Sequence, residues 1–217
     1  MIVYLIICLV LFLLVCLINI NKNIEPLTNK NKQIILLGDS ILNNSNYVDT
    51  KDTVFSQLQK LFNSTNTNII MKAEDNAKIV NLDSQYNSLL EYNNSDTYIV
   101  ISIGGNDILG LTNKANTNNN SQFSELMNEY KEEITLLHSK LPKAYILLVS
   151  LYYPIDTRFS IYKNFITKWN QNMVGLGYQV IHLDTLLVDK DDIISSIEPS
   201  PSGSKKIAHA ILKAINK

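Results

Sequence analysis

Ser40 is the residue that the sequence places best to act as a nucleophile. It follows Gly38 and Asp39 directly after an apolar run, residues 34–37. A glycine lets the backbone turn sharply as it leaves a strand, and the serine hydroxyl then lies at the end of that strand. Such a hydroxyl attacks an ester once a neighbouring base takes its proton. The tripeptide alone is also typical of a turn that caps a helix.

A second polar segment follows another apolar run, residues 98–103, and reads Gly104, Gly105, Asn106 and Asp107. The glycines allow a ligand to come close to the backbone, and the amide of Asn106 offers two hydrogen-bond donors. Donors aimed at a developing oxyanion lower a barrier by about 3–4 kcal/mol. Two such segments after two strands are much rarer by chance than either one alone. We assign Asp39, Gly105 and Asp107 to substrate binding; Asp39 and Asp107 are also expected to hydrogen-bond their own turns.

These two segments give the chain a resemblance to the SGNH (GDSL) hydrolases that spans residues 34–211. Residues 35–41 resemble the first sequence block of that family, and residues 103–107 resemble the third. The resemblance implies that Ser40 is the nucleophile of an ester hydrolase and that Asn106 contributes to its oxyanion hole. Asn76 stands where the second block has a glycine. Asparagine tolerates left-handed backbone geometry better than most residues, so its N–H is expected to serve as the glycine N–H does.

The fourth block of the family, D-x-x-H-P, is altered in this chain. Ser195 stands at the aspartate position and Glu198 at the histidine position, in a variant that reads I-E-P-S followed by Gly203. An ordinary glutamate is a poor base at pH 7, but burial raises the pKa of a carboxyl group towards neutrality. We therefore predict Glu198 as the general base.

Other assignments remain open from the sequence. His182 and Asp192 are alternative candidates for the base or for a residue that orients it. A catalytically silent domain that binds an acyl or carbohydrate ligand is the second functional hypothesis, because it would explain the loss of the histidine. The substrate could be a carboxylic ester, a lipid or an O-acetyl group. No motif indicates a metal or a cofactor, and the oligomeric state is not predicted.

Strand-like and helix-like segments alternate through the rest of the chain. Strands are predicted at residues 34–37, 68–71, 98–103, 144–151 and 178–183, and helices at residues 54–62, 79–92, 123–141, 160–176 and 202–215. This alternation is typical of a parallel sheet covered on both faces. We predict a three-layer α/β/α sandwich with a five-stranded parallel sheet, as in the flavodoxin-like SGNH fold. Ligands in such folds bind at the carboxyl ends of the strands.

Residues 1–20 are apolar and carry no charged side chain, and they include both cysteines, Cys8 and Cys16. A helix of that length crosses a bilayer core. We predict a single-pass membrane anchor at 1–20, a polar tether at 21–32 and one hydrolase-like domain at 33–217. A cleaved signal peptide and a buried core helix are the alternatives, and the side of the membrane is left open.

Composition excludes several other classes of protein. Of 217 residues, 46% are hydrophobic and 18% are charged, which is not typical of disordered, collagen-like or disulfide-rich chains. The net charge of −1 gives no reason to expect a nucleic-acid partner.

Overall fold

The computed structural model describes residues 31–111 and 119–216. The predicted anchor and most of the predicted tether lie outside these residues. Within the part of the chain that is described, no helix is long and apolar enough to cross a membrane.

Five parallel strands form the central sheet, in the order β2-β1-β3-β4-β5. They are β1 (Lys32–Gly38), β2 (Thr67–Met71), β3 (Thr97–Ser102), β4 (Tyr145–Val149) and β5 (Gln179–Ile181). The predicted five-stranded parallel sheet is thus confirmed. A separate antiparallel pair, β6 (Ile193–Ile194) and β7 (Glu198–Pro199), follows β5.

Helices cover the sheet and form the outer layers of the predicted sandwich. The α-helices are α1 (Val54–Phe62), α2 (Leu82–Tyr86), α3 (Gly105–Leu111), α4 (Asn119–Lys140), α5 (Lys163–Val174), α6 (Leu183–Leu186) and α7 (Pro201–Ile215). Short 3₁₀ helices lie at Thr50–Asp52, Ile79–Asn81, Leu90–Tyr92, Thr157–Tyr162 and Lys190–Asp192. α1 packs on α7, whereas α4 contacts α2, α3 and α5.

Strands β1 and β3 lie side by side in the middle of the core. Residues 34–37 of β1 and 99–101 of β3 are fully buried, which explains their continuous apolar runs. Gly38, the last residue of β1, pairs with Ser102, the last residue of β3. The segments that begin at Asp39 and at Ile103 therefore leave the sheet at neighbouring points.

The prediction of one helix over residues 79–92 is wrong. The structure divides this stretch into a 3₁₀ turn, the five-residue α2 and a second 3₁₀ turn. Asparagine side chains compete with the helical backbone for hydrogen bonds. Asn81 accepts from the backbone N–H of Lys78 at 2.8 Å, and just beyond the stretch Asn94 accepts from the N–H of Asp96 at 2.9 Å. These bonds favour turns where the apolar spacing alone indicates a continuous helix.

Gly38 occupies a backbone conformation that other residues rarely adopt, with φ at +120°. A Cβ atom there would lie 1.7 Å from the carbonyl oxygen of Ser102. We expect Gly38→Ala to lower the free energy of unfolding by about 3 kcal/mol or more, since backbone strain and a backbone clash add together. Chemical denaturation measures the change.

Gly110→Ala is the matched control for this substitution. Gly110 lies inside α3, and a Cβ atom there meets nothing within 4 Å. Alanine is the better helix former by about 1 kcal/mol, so this variant is expected to be as stable as the wild type or slightly more stable. Equal losses of stability in the two variants would contradict the role given to the Gly38 conformation.

Candidate active site

The hydroxyl of Ser40 and the carboxyl of Glu198 meet at the carboxyl end of the sheet. Ser40 Oγ donates to Glu198 Oε1 at 3.2 Å, across 158 positions of sequence. The exposed fractions are 7% for Ser40 and 6% for Glu198. A general base must lie within hydrogen-bond reach of the proton that it takes, and this pair meets that condition.

The turn after β1 fixes Ser40. The Asp39 N–H donates to the carbonyl of Ser102 at 2.9 Å, which extends the β1–β3 pairing by one bond. The Asp39 side chain accepts from the N–H of Ile41 at 3.1 Å, and its carbonyl accepts from Leu42 and Asn43. Asp39 therefore hydrogen-bonds its own turn, as predicted, and this holds the serine at the end of the strand.

A tight hairpin between β6 and β7 presents Glu198. Ser195 and Ser196 both have positive φ, at 50° and 74°, and the Tyr152 hydroxyl donates to the carbonyl of Ile197. Two consecutive left-handed residues are usual in tight hairpin turns. This hairpin was not predicted because serine, unlike glycine or asparagine, does not signal such a turn.

Asn44 joins the nucleophile turn to the segment that carries Glu198. Its side chain is fully buried and donates to the carbonyl of Pro199 at 3.2 Å and to Ser204 Oγ at 2.6 Å. Its Oδ1 accepts from the N–H of Val54 at the start of α1. Sequence reasoning also missed Asn44, since one asparagine among many carries no distinguishing signal.

Asn106 lies in the first turn of α3 and lines the same pocket as Ser40. Its Nδ2 donates to the carbonyl of Ala77 at 3.0 Å, which uses one of its two N–H groups. Asn76 precedes Ala77 and has φ at 60°, the left-handed geometry expected of it. Asn76 is not among the lining residues, and its part in an oxyanion hole stays a prediction. Among the described residues, the N–H groups of Ser40 and Asn76 have no acceptor.

The three predicted substrate-binding residues differ in position. Asp39 and Gly105 line the pocket, whereas Asp107 does not. Asp107 Oδ2 accepts from the N–H of Ile79 at 3.2 Å and so holds the start of the 3₁₀ turn at Ile79. Burial raises the pKa of Asp107 to about 6. Its position supports a structural role at the edge of the site.

The structure does not bring the two alternative candidates for the base to Ser40. His182 is half exposed, lies 3.5 Å from Asp184 Oδ1, and lines a different groove. Asp192 is buried, but its carboxylate binds Lys206 Nζ at 2.7 Å and Ser202 Oγ at 3.2 Å. Asp192 therefore anchors the start of α7.

The pocket beside Ser40 is mostly apolar. It encloses about 550 Å³, including its open mouth. Its polar lining residues are few. Its walls are apolar and aromatic side chains from the turn after β1, α3, the segment between β4 and α5, α5 itself and the β6–β7 hairpin: Ile41, Ile108, Leu109, Leu151, Tyr152, Pro154, Tyr162, Ile166 and Ile197. Such a pocket suits an apolar group attached to a polar reacting centre.

Solved structures show the same arrangement of sheet and helices. A member of the lipolytic protein G-D-S-L family from Veillonella parvula superimposes with a TM-score of 0.68 at 16% sequence identity, covering 85% of this chain and 98% of that one. A lipase from a goat rumen metagenome gives 0.69 at 17% identity, covering 84% and 96%. The chain has the fold of the GDSL hydrolases. The resemblance in the sequence is thus confirmed for the fold.

Phospholipase A1 from Streptomyces albidoflavus shares the GDSL fold more loosely, with a TM-score of 0.59 at 13% identity over 84% of this chain and 99% of that one. No protein-family model matches the chain, and no curated protein sequence matches it. On this GDSL fold, Ser40 and Asn106 occupy the strand ends that the sequence resemblance assigns to them. Glu198, at the position where the sequence resemblance has a histidine, lies beside the serine.

Proposed function

We propose that this protein hydrolyses esters through a serine nucleophile, with Glu198 in place of the usual histidine as the general base. The observation that carries the proposal is the hydrogen bond of 3.2 Å from Ser40 Oγ to Glu198 Oε1, at the edge of an apolar pocket. The lipolytic protein, the lipase and the phospholipase that share the fold support the reaction class.

The reaction follows from the positions of these groups. Glu198 Oε1 takes the proton as Ser40 Oγ attacks the carbonyl carbon of the ester, and the carbonyl oxygen becomes an oxyanion. The free N–H of the Asn106 amide and the N–H groups of Ser40 and Asn76 stabilise that oxyanion. Glu198 then gives the proton to the leaving alcohol, and an acyl-serine remains. Water, deprotonated by Glu198, attacks the acyl-serine; the bond to Ser40 Oγ breaks, the acid is released, and Glu198 returns the proton to Ser40 Oγ.

The environment of Glu198 makes its carboxylate a stronger base than an exposed carboxylate. Burial raises the pKa of Glu198, and the hydrogen bond from Ser40 opposes that rise. A carboxylate with a raised pKa binds a proton more readily and therefore transfers the serine proton more efficiently at neutral pH. This burial supports Glu198 in the role that the fold usually gives to histidine.

The apolar walls favour esters with an apolar acyl group. No lysine, arginine or histidine is found among the described residues that line the pocket, so nothing there pairs with an anionic substrate. Residues 1–20 are supported as a membrane anchor by their uncharged apolar sequence alone. An anchored domain would act on esters at or near a membrane.

A fluorophosphonate probe tests the proposal directly. Such a probe phosphonylates an activated serine and loses fluoride. We expect labelling of the wild type and of Ser124→Ala, a control at an exposed serine of α4, and no labelling of Ser40→Ala. Mass spectrometry of the labelled peptide identifies the modified residue. Absence of labelling at pH values from 5 to 9, a range of about two units either side of neutrality, would instead favour the silent ligand-binding domain.

A further inference from the structure

Two buried carboxyl groups flank Ser40. Asp39 has an exposed fraction of 2% and Glu198 of 6%, and both line the pocket. One oxygen of each has a donor, the N–H of Ile41 for Asp39 and the hydroxyl of Ser40 for Glu198. Glu198 Oε2 is buried with no hydrogen-bond partner among the described residues. Ser40 therefore follows one buried acid in sequence and hydrogen-bonds to another, and both acids line its pocket.

No positive charge offsets these acids within the pocket lining that the structure describes. The other titratable groups that act on the pair or line its pocket are acids and tyrosines: Asp75, Asp107, Tyr47, Tyr152 and Tyr162. Burial raises the pKa of Tyr152 well above its ordinary value, so it stays neutral. Lys78 acts on Asp107 at the edge of the site. Two carboxylates in such a site repel each other, and one of them keeps its proton.

We propose that Asp39 carries a proton and Glu198 is ionised while the site is active. We propose further that loss of the Asp39 proton sets the upper pH limit of the reaction. The inference rests on the proposed function, since it concerns the regulation of the same site. Above that limit the Asp39 proton passes to solvent, and the site then holds a second carboxylate beside Ser40. That charge opposes the oxyanion that forms in the attack.

The order of ionisation follows from the surroundings of each acid. Burial, together with the charge of Glu198, raises the pKa of Asp39 to about 8, although the bond from Ile41 lowers it. Burial also raises the pKa of Glu198, and each acid accepts one hydrogen bond that opposes the rise. Burial is deeper at Asp39, whose exposed fraction is 2% against 6% for Glu198. Glu198 therefore ionises first as the pH rises, and Asp39 second.

The pH dependence of kcat/KM with a neutral ester tests the proposal. We expect the rate of the wild type to fall as the pH rises through about 8. Asp39→Asn keeps an oxygen that accepts from Ile41 but has no proton to lose, so this fall should disappear while the acid limb remains. Asp49→Asn, at an exposed aspartate, should keep the profile of the wild type. An alkaline fall that persists in Asp39→Asn would overturn the proposal.

A direct titration by carbon-13 NMR of the side-chain carboxyls needs no turnover. We expect the Asp39 carboxyl to titrate near pH 8 in the wild type and about one unit lower in Glu198→Gln, where the neighbouring charge is gone. A midpoint near the ordinary value of about 4, or one that Glu198→Gln leaves unchanged, would refute the proposal that Asp39 carries the proton. This holds even if Asp39→Asn does not fold. If the titration is as expected but no ester is hydrolysed, the proposed function fails and the carboxyl pair stands.

Discussion

Ser40→Ala is expected to lower kcat/KM for ester hydrolysis by on the order of 10⁴-fold or more, because no covalent acyl intermediate can then form. The hydroxyl that is removed is the only hydrogen-bond donor to the Glu198 carboxyl among the described residues. Hydrolysis of p-nitrophenyl esters, followed by release of the phenolate, measures the effect.

The change in Ser40→Ala must be separated from a loss of folding. Removing the hydroxyl leaves both oxygens of a buried carboxyl without a partner, which costs about 1–3 kcal/mol unless the carboxyl takes up a proton. Thermal denaturation followed by circular dichroism shows whether the variant is folded at the assay temperature. Ser124→Ala should keep the activity of the wild type. A folded Ser40→Ala variant with most of its activity would show that another group is the nucleophile.

Glu198→Gln should lower kcat/KM by about 10²- to 10⁴-fold, the usual contribution of a general base. Glutamine has nearly the same shape and can still accept a hydrogen bond from Ser40, but it cannot take the serine proton. The comparison with Ser40→Ala in the same assay separates loss of the base from loss of the nucleophile. Glu91→Gln, at an exposed glutamate, is the matched control.

The acid side of the pH profile gives an independent measure of Glu198. A protonated carboxyl cannot accept the serine proton, so kcat/KM should rise as the pH increases through the pKa of Glu198. Because burial raises that pKa, the rise should lie above the range of an ordinary glutamate. The residual activity of Glu198→Gln should lack this limb. Unchanged turnover in Glu198→Gln would remove Glu198 from the mechanism.

The sheet and the two main polar segments could be predicted because their signals are local. The β-branched run at residues 98–103 and the apolar run at 34–37 end in glycines, and parallel strands bring such ends to one edge of the sheet. The sequence therefore placed Ser40 and Asn106 in one site. The same reasoning placed Asp107 there, but its carboxyl bonds to the N–H of Ile79, a partner from a distant turn.

The groups that position Glu198 depend on long-range contacts that no short pattern reveals. Asn44 acts through partners at Pro199 and Ser204, and Tyr152 acts through the carbonyl of Ile197. The left-handed geometry of Ser195 is maintained by the pairing of β6 with β7. Each of these features needs the tertiary structure, because the residue types involved are common in unrelated turns.

The distance in sequence between the two reacting groups has a consequence for synthesis of the protein. Ser40 emerges from the ribosome early, but its partner at Glu198 comes 158 residues later. Asn44 cannot form two of its hydrogen bonds before Pro199 and Ser204 have been made. Likewise, α1 cannot pack on α7 before residues 201–215 have been made. Domains fold as units, so a nascent chain that does not yet include Glu198 has the serine but no base. We therefore expect no reactivity until residues 193–215 have been made and have docked.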